Sequence, residues 1–249
     1  MTTNPNPALQ QAASAAASNA PRYDMYEPIH KGLRSFMSDT LSRVGRVDVF
    51  DNVDLARTLT QLEALLSFCA KHITHENDFL HTAIQVRLPE GAARTSEDHF
   101  GHLHSINALW GESRALMAAG NDERMALALR LYRHLALFVA ENFQHMHVEE
   151  TANNAALWAH YSDAELADIH HRLLATVGPA DMMEVMRWMV PALSPVQRAG
   201  LLADMKQGAP AAVFDAVLEV VRPHLDIAEW TQLARAIGVP QQAGLVNFA

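Results

Sequence analysis

The sequence predicts an all-α fold: a four-helix up-and-down bundle spanning residues 22–160, followed by an additional C-terminal helical region over 161–249. Three observations predict it. Ala, Leu and Met abound while runs of β-branched residues are scarce, which favours helix over strand. Apolar residues recur at helical spacing over long stretches, as in Leu55, Leu62 and Cys69, or Leu59, Leu66, Ile73 and Leu80, each series stepping by seven. Pro and Gly are modest, at 11 each, and pairs such as Pro89 with Gly91 mark a break between helices.

With 249 residues the chain can bury a full core without covalent staples, since a domain of roughly 150 residues already hides about 70% of its unfolded surface. The single cysteine, Cys69, leaves no internal disulfide to form and fits a reducing compartment. A net charge of −9 argues against nucleic acid, which needs a clustered basic face. No run approaches the ~20 apolar residues that span a bilayer, so no membrane is expected. The first charged side chain is Arg22, and Pro, Asn and Gln break up any apolar run before it, unlike a signal peptide. The expected location is cytoplasmic.

Residues 1–21 are low-complexity and are expected to form a disordered tail without assigned function. The first helix runs from about Pro28 to Val44, proline suiting a first turn, with Ile29, Leu33, Phe36, Met37 and Leu41 at helical spacing. His30 lies on the same stripe. The second spans about Val53 to Thr82 and ends before Leu88-Pro89-Glu90-Gly91. The third opens at Thr95 or Ser96, with Glu97 and Asp98 where the helix dipole favours anions, and reaches Ala119. Gly120-Asn121-Asp122 turns the chain into the fourth, about Glu123 to Trp158.

Beyond Tyr161 the pattern shortens. Ser162-Asp163-Ala164-Glu165 is a capping box ahead of Leu166, Ile169 and Leu173, and further helices are expected at about 180–190, 195–206, 211–222 and 227–237. Met182, Met183, Met186, Trp188 and Met189 make a packing surface that covers the bundle or holds a protein partner.

The chemistry lies in the histidines, of which there are 14. Glu76 continues the series of Leu55, Leu62 and Cys69, and His72 stands one turn before it. On the fourth helix His145 continues Leu131 and Phe138, while Glu149 continues Leu135 and Asn142. Each His-x-x-x-Glu pair therefore replaces hydrocarbon on an inward seam, and residues four apart stack on one face. The third helix turns both His99 and His102 inward. His75, His81, His104, His147 and Glu150 fall off these seams and read as surface or supporting groups, and His170 and His171 face no carboxylate at ligand spacing.

A carboxylate facing a bundle interior costs several kcal/mol unless something pairs with it. The inventory of His30, His72, Glu76, His99 or His102, His145 and Glu149 suits two divalent ions bridged by the glutamates, about 3.5–4 Å apart as in other two-metal sites. Mixed imidazole and carboxylate ligation fits iron ahead of zinc or manganese.

These motifs, Tyr26-Glu27-Pro28-Ile29-His30, His72-x-x-His75-Glu76 with Phe79-Leu80-His81, Asp98-His99, and His145-Met146-x-x-Glu149-Glu150, resemble the hemerythrin-like family, in particular its HHE cation-binding branch, over residues 22 to 160. The resemblance implies a bundle holding two iron ions in a non-haem di-iron centre that binds dioxygen, nitric oxide or peroxide, or senses iron or redox state. It favours His99 over His102, which becomes a substitute or supporting group. Oxygen carriers of that family have His-x-x-x-His on the third helix and an aspartate five residues after the fourth helix's histidine; here His99 and His102 are three apart and Glu149 follows His145 by four. Two other classes compete: a metal-dependent hydrolase or transferase, which needs one metal and a general base, and a metal-free helical adaptor whose histidines simply pack.

Overall fold

The computed structural model describes residues 22–240, so the expected N-terminal tail lies outside the described residues. All regular structure among them is helical. Four long helices come first. α1 is Glu27–Gly45, with Pro28 in its first turn and Asp24 accepting from the Tyr26 and Glu27 amides. α2 starts at Asn52, capped by Asp51, and continues through Arg87. α3 is Ala93–Ala118, opening two residues earlier than expected, and α4 runs from Asn121 to His160. α1 packs on α2 and α4, α2 on α3, and α3 on α4, closing a ring.

Neither α2 nor α4 is regular throughout. Each contains one wide turn with i→i+5 hydrogen bonding, over Glu76–His81 in α2 and Glu149–Asn153 in α4. Such turns are rare and gather at functional sites. Both begin on the glutamate of a His-x-x-x-Glu pair. Side chains donate to main-chain carbonyls in these stretches: Thr82 Oγ1 to Asn77, Thr151 Oγ1 to His147, and Asn154 Nδ2 to Glu150.

Two apolar layers pack along the ring, the smaller of them completed by the segment that follows His160. Leu33, Phe36, Met37, Leu62, Leu66, Ile106, Leu109, Leu135 and Phe138 belong to the larger. Tyr26, Leu80, Ile84, Leu157, Leu166 and Ile169 belong to the smaller. On the four long helices the buried histidines and glutamates fall where the larger layer gives way to the smaller, which surrounds this polar stratum with hydrocarbon and lowers the dielectric.

Five shorter helices follow: α5 (Asp163–Leu174), α6 (Pro179–Ala192), α7 (Pro195–Gly208), α8 (Ala211–Val221) and α9 (Ile227–Ile237). The capping box at Ser162 is present, and two more open α7 at Ser194 and α9 at Asp226. α6 to α9 build a core of their own around Val190, Leu202, Val217, Val221 and Leu233. The Met and Trp surface of α6 covers the bundle: α6 lies along α1, Trp188 stacks on Phe36 with ring centroids 4.1 Å apart, and a Cβ on Gly32 would come within 2.7 Å of the Met189 Cα. No helix among the described residues is long and apolar enough to cross a membrane.

Candidate metal centre

Six of the seven sequence-predicted residues meet in one place. His30 from α1, His72 and Glu76 from α2, His99 from α3, and His145 and Glu149 from α4 all point into the polar stratum. The two glutamates are 3% and 0% exposed, so neither has bulk water to solvate a charge. His30 Nε2 lies 3.3 Å from Glu76 Oε1 and 3.5 Å from Glu149 Oε2. His72 Nε2 is 3.1 Å from Glu76 Oε1. Opposite, His99 Nε2 is 3.4 Å from Glu76 Oε2 and 3.9 Å from Glu149 Oε1, and His145 Nε2 is 3.2 Å from Glu149 Oε2.

These atoms form two overlapping groups. Glu76, His99, His145 and Glu149 offer ligand atoms all within 4.8 Å of one another, and His30, His72 and Glu76 do the same. Ligands held about 2.0–2.2 Å from an ion stand roughly 3 Å apart, close to the separations observed.

Second partners orient the rings. His30 Nδ1 donates to Glu150 Oε1 at 3.1 Å, and Glu150 is gripped by both terminal nitrogens of Arg34 at 2.6 and 2.9 Å. His99 Nδ1 donates to Asn77 Oδ1 at 2.8 Å, and His145 Nδ1 to Asp98 Oδ2 at 3.3 Å. A ring whose Nδ1 carries the donated proton presents a bare Nε2 lone pair when neutral. His99 and His145 aim such nitrogens at each other across 2.9 Å. His72 Nε2, Glu76 Oε2 and Glu149 Oε2 are buried without an aligned hydrogen bond. Unsatisfied buried groups of this kind each cost about 1–3 kcal/mol, more when charged, and here they converge.

In the absence of an ion, protons must balance the charges. Burial pushes Glu76 up, but the charge of His72 and the bond from His30 outweigh it and hold the carboxyl well below the usual range. Burial and the Glu76 charge push Glu149 up, and bonds from His145 and His81 still bring it below its ordinary value. His30 is pulled down by burial and lifted further by Glu150 and Glu76, to about 9. A buried cluster of histidines and glutamates with these properties can hold a metal ion, whose charge would replace those protons.

His102 is brought close without joining the cluster. It is buried with its Nδ1 unpartnered, its ring 4.9 Å from that of His145 and 6.1 Å from Phe138. Burial, then the charges of His145 and His99, push it down to about 4. His104 and His147 are exposed, as expected.

Of the two readings open for His81, surface or support, the structure excludes the surface. Expected off the seam, at the surface or in support, it is buried, with Nε2 3.4 Å from Glu149 Oε1 and Nδ1 3.2 Å from Ser96 Oγ. Five residues along a regular helix from Glu76 would point it about 140° away. The wide turn closes at i+5 and carries it round to the glutamate's face. No residue type announces that turn; the spacing of five between Glu76 and His81 is its only trace in the sequence. Asn77 and Ser96 are equally invisible in the sequence, since each reaches its histidine from another helix, and so is Arg34, which acts on His30 only through Glu150.

A cavity of about 260 Å³ opens between α2 and α3, lined by Asn77, His81, Ser96, His99 and Phe100 among others, so this side of the stratum reaches solvent. No family model, curated protein or solved structure matches the chain.

Proposed function

We propose that this protein is a non-haem di-iron protein of the hemerythrin-like kind, HHE branch, that binds or senses a small diatomic molecule or oxidant: dioxygen, nitric oxide or peroxide. The observation that carries the reading is the confrontation of imidazole nitrogens and carboxylate oxygens from all four long helices, several lacking any hydrogen bond, inside a stratum surrounded by hydrocarbon. His30 and His72 would hold one ion and His99 and His145 the other, with Glu76 and Glu149 shared. Iron bound there would supply redox chemistry and coordination positions open to a small ligand.

The protein's own residues do the rest. Glu150, Asn77 and Asp98 fix which ring nitrogen faces inward and keep the imidazoles from rotating. Tyr26, fully buried with its ring 5.3 Å from that of His30, closes the floor. Its phenol is pushed well above its ordinary range by burial and by Glu149 and Glu76, so it stays protonated. The opening between α2 and α3 admits molecules of small size. Cys69 is buried and its thiol is raised far beyond physiological pH, which leaves it no part as a nucleophile.

The test is metal content after anaerobic reconstitution with ferrous iron and desalting, with optical spectra on exposure to oxygen or nitric oxide. Two tightly held irons per chain and a spectrum that changes with the gas are expected. No retained transition metal would overturn the reading.

A further inference from the structure

We propose that His81 is itself a metal ligand, the fifth imidazole of the centre, sharing an ion with His99 and His145. The inference rests on the metal-binding reading above and adds a residue that helical periodicity places on the wrong face.

Four observations carry it. His81 is buried and its Nε2 faces Glu149 Oε1 at 3.4 Å, the oxygen that His99 Nε2 approaches at 3.9 Å. The rings of His81 and His99 lie nearly parallel, 11° apart with centroids separated by 4.8 Å, and the Nε2 of each lies within 4 Å of that oxygen. The outward nitrogen, Nδ1, is held by Ser96 Oγ at 3.2 Å, the arrangement already seen at His30, His99 and His145. Finally, the widened turn that starts at Glu76 is what brings His81 inward at all. A rare and less favourable helical geometry that delivers an imidazole to a buried carboxylate fits a site built around it. His102, three residues after His99, offers no comparable arrangement: its Nδ1 has no partner at all.

The alternative role for His81 is a plain hydrogen bond to Glu149, and the variants separate the two. His81→Gln keeps a donor for Glu149 and removes the ring, while His81→Ala leaves a gap beside the opening between α2 and α3. Wild type, both variants and His102→Leu would be reconstituted with ferrous iron, desalted and counted, with affinity read by chelator competition and fold by melting of the metal-free forms. Wild type and His102→Leu should retain two ions. Both His81 variants should hold the second ion roughly tenfold or more weakly, with metal-free His81→Gln, which keeps a donor for Glu149, melting close to wild type, and millimolar imidazole entering through the opening should restore the ion in His81→Ala. If His81→Gln binds two irons as tightly as wild type, or imidazole restores nothing to His81→Ala, His81 is only a hydrogen-bonding neighbour and the di-iron reading still stands. A wild type that retains no iron overturns the di-iron reading itself.

Discussion

His99 and His145 point their Nε2 atoms at each other across 2.9 Å, each with its Nδ1 proton already given to a side-chain oxygen. In the metal-free protein a proton on one of the two nitrogens makes this a hydrogen bond; with both rings neutral the lone pairs would repel, and a cation between them would turn that repulsion into ligation. Binding to the folded state alone must then raise stability. At a free metal concentration 100 times Kd the gain is about 2.7 kcal/mol. Melting with ferrous iron or zinc and then with excess chelator should give a rise followed by a return. In Glu149→Ala the rise should vanish, and the metal-free variant should melt below metal-free wild type, because the protonated imidazoles around Glu149 lose their counter-charge. A metal-insensitive wild type would leave a helical adaptor as the better description.

Glu150 bears on His30 through one hydrogen bond and on Arg34 through two. Burial pushes its carboxyl up, but the bonds from His30 and Arg34 win and hold it at about 2, so it is ionised at neutral pH. Glu150→Ala should weaken metal binding about 10- to 100-fold by freeing the His30 ring. Chelator competition measures this, and a change below twofold would reduce Glu150 to a surface ion pair.

Much of this centre is written in the sequence, because a seam of hydrocarbon interrupted at positions one turn apart is conspicuous. His72 with Glu76, and His145 with Glu149, were found that way. His30 and His99 followed from stripe positions, and the preference for His99 over His102 agrees with their surroundings in the fold. His81 escaped because seam counting assumes a constant number of residues per turn, and the turn at Glu76 breaks that assumption. The C-terminal helices were placed to within a few residues by their prolines and caps. Their docking through the Met and Trp surface of α6 is one of two readings the sequence leaves open, and its closeness is not legible there because it depends on Gly32, a glycine inside a helix with no turn to explain it.

That glycine lets α1 and α6 touch. An added methyl would sit 2.7 Å from the Met189 Cα and 3.0 Å from its amide nitrogen, main-chain atoms that cannot swing aside. Gly32→Ala should therefore destabilise by roughly 1–3 kcal/mol despite alanine's better helix propensity. For a chain of this size that is about 2–4 °C of Tm per kcal/mol. A melt at or above the wild-type Tm would show that α6 yields easily.

At the other end Tyr23 Oη lies 2.6 Å from His170 Nδ1, tying the start of the described chain to α5. Burial lowers the His170 pKa from its ordinary 6.5. As pH falls the unfolded chain takes up this proton before the folded one. The stabilisation is thus complete above about pH 6.5 and drains away as pH drops towards the folded-state value. Wild type should lose more Tm between pH 7.5 and 5.5 than His170→Gln does. Equal losses would mean that the ring titrates alike in both states.

The cavity between α2 and α3 lies against His81 and His99 but not against His30, which is fully buried beside Tyr26. A pair of ions seated in this stratum would consequently be unequal partners. One would exchange with a chelator in the medium on a short timescale, while its neighbour would be released only when the helices breathe. Extraction should proceed in two phases, the slower tracking the opening of the helices, and a half-loaded protein should accumulate between them as a species that can be isolated.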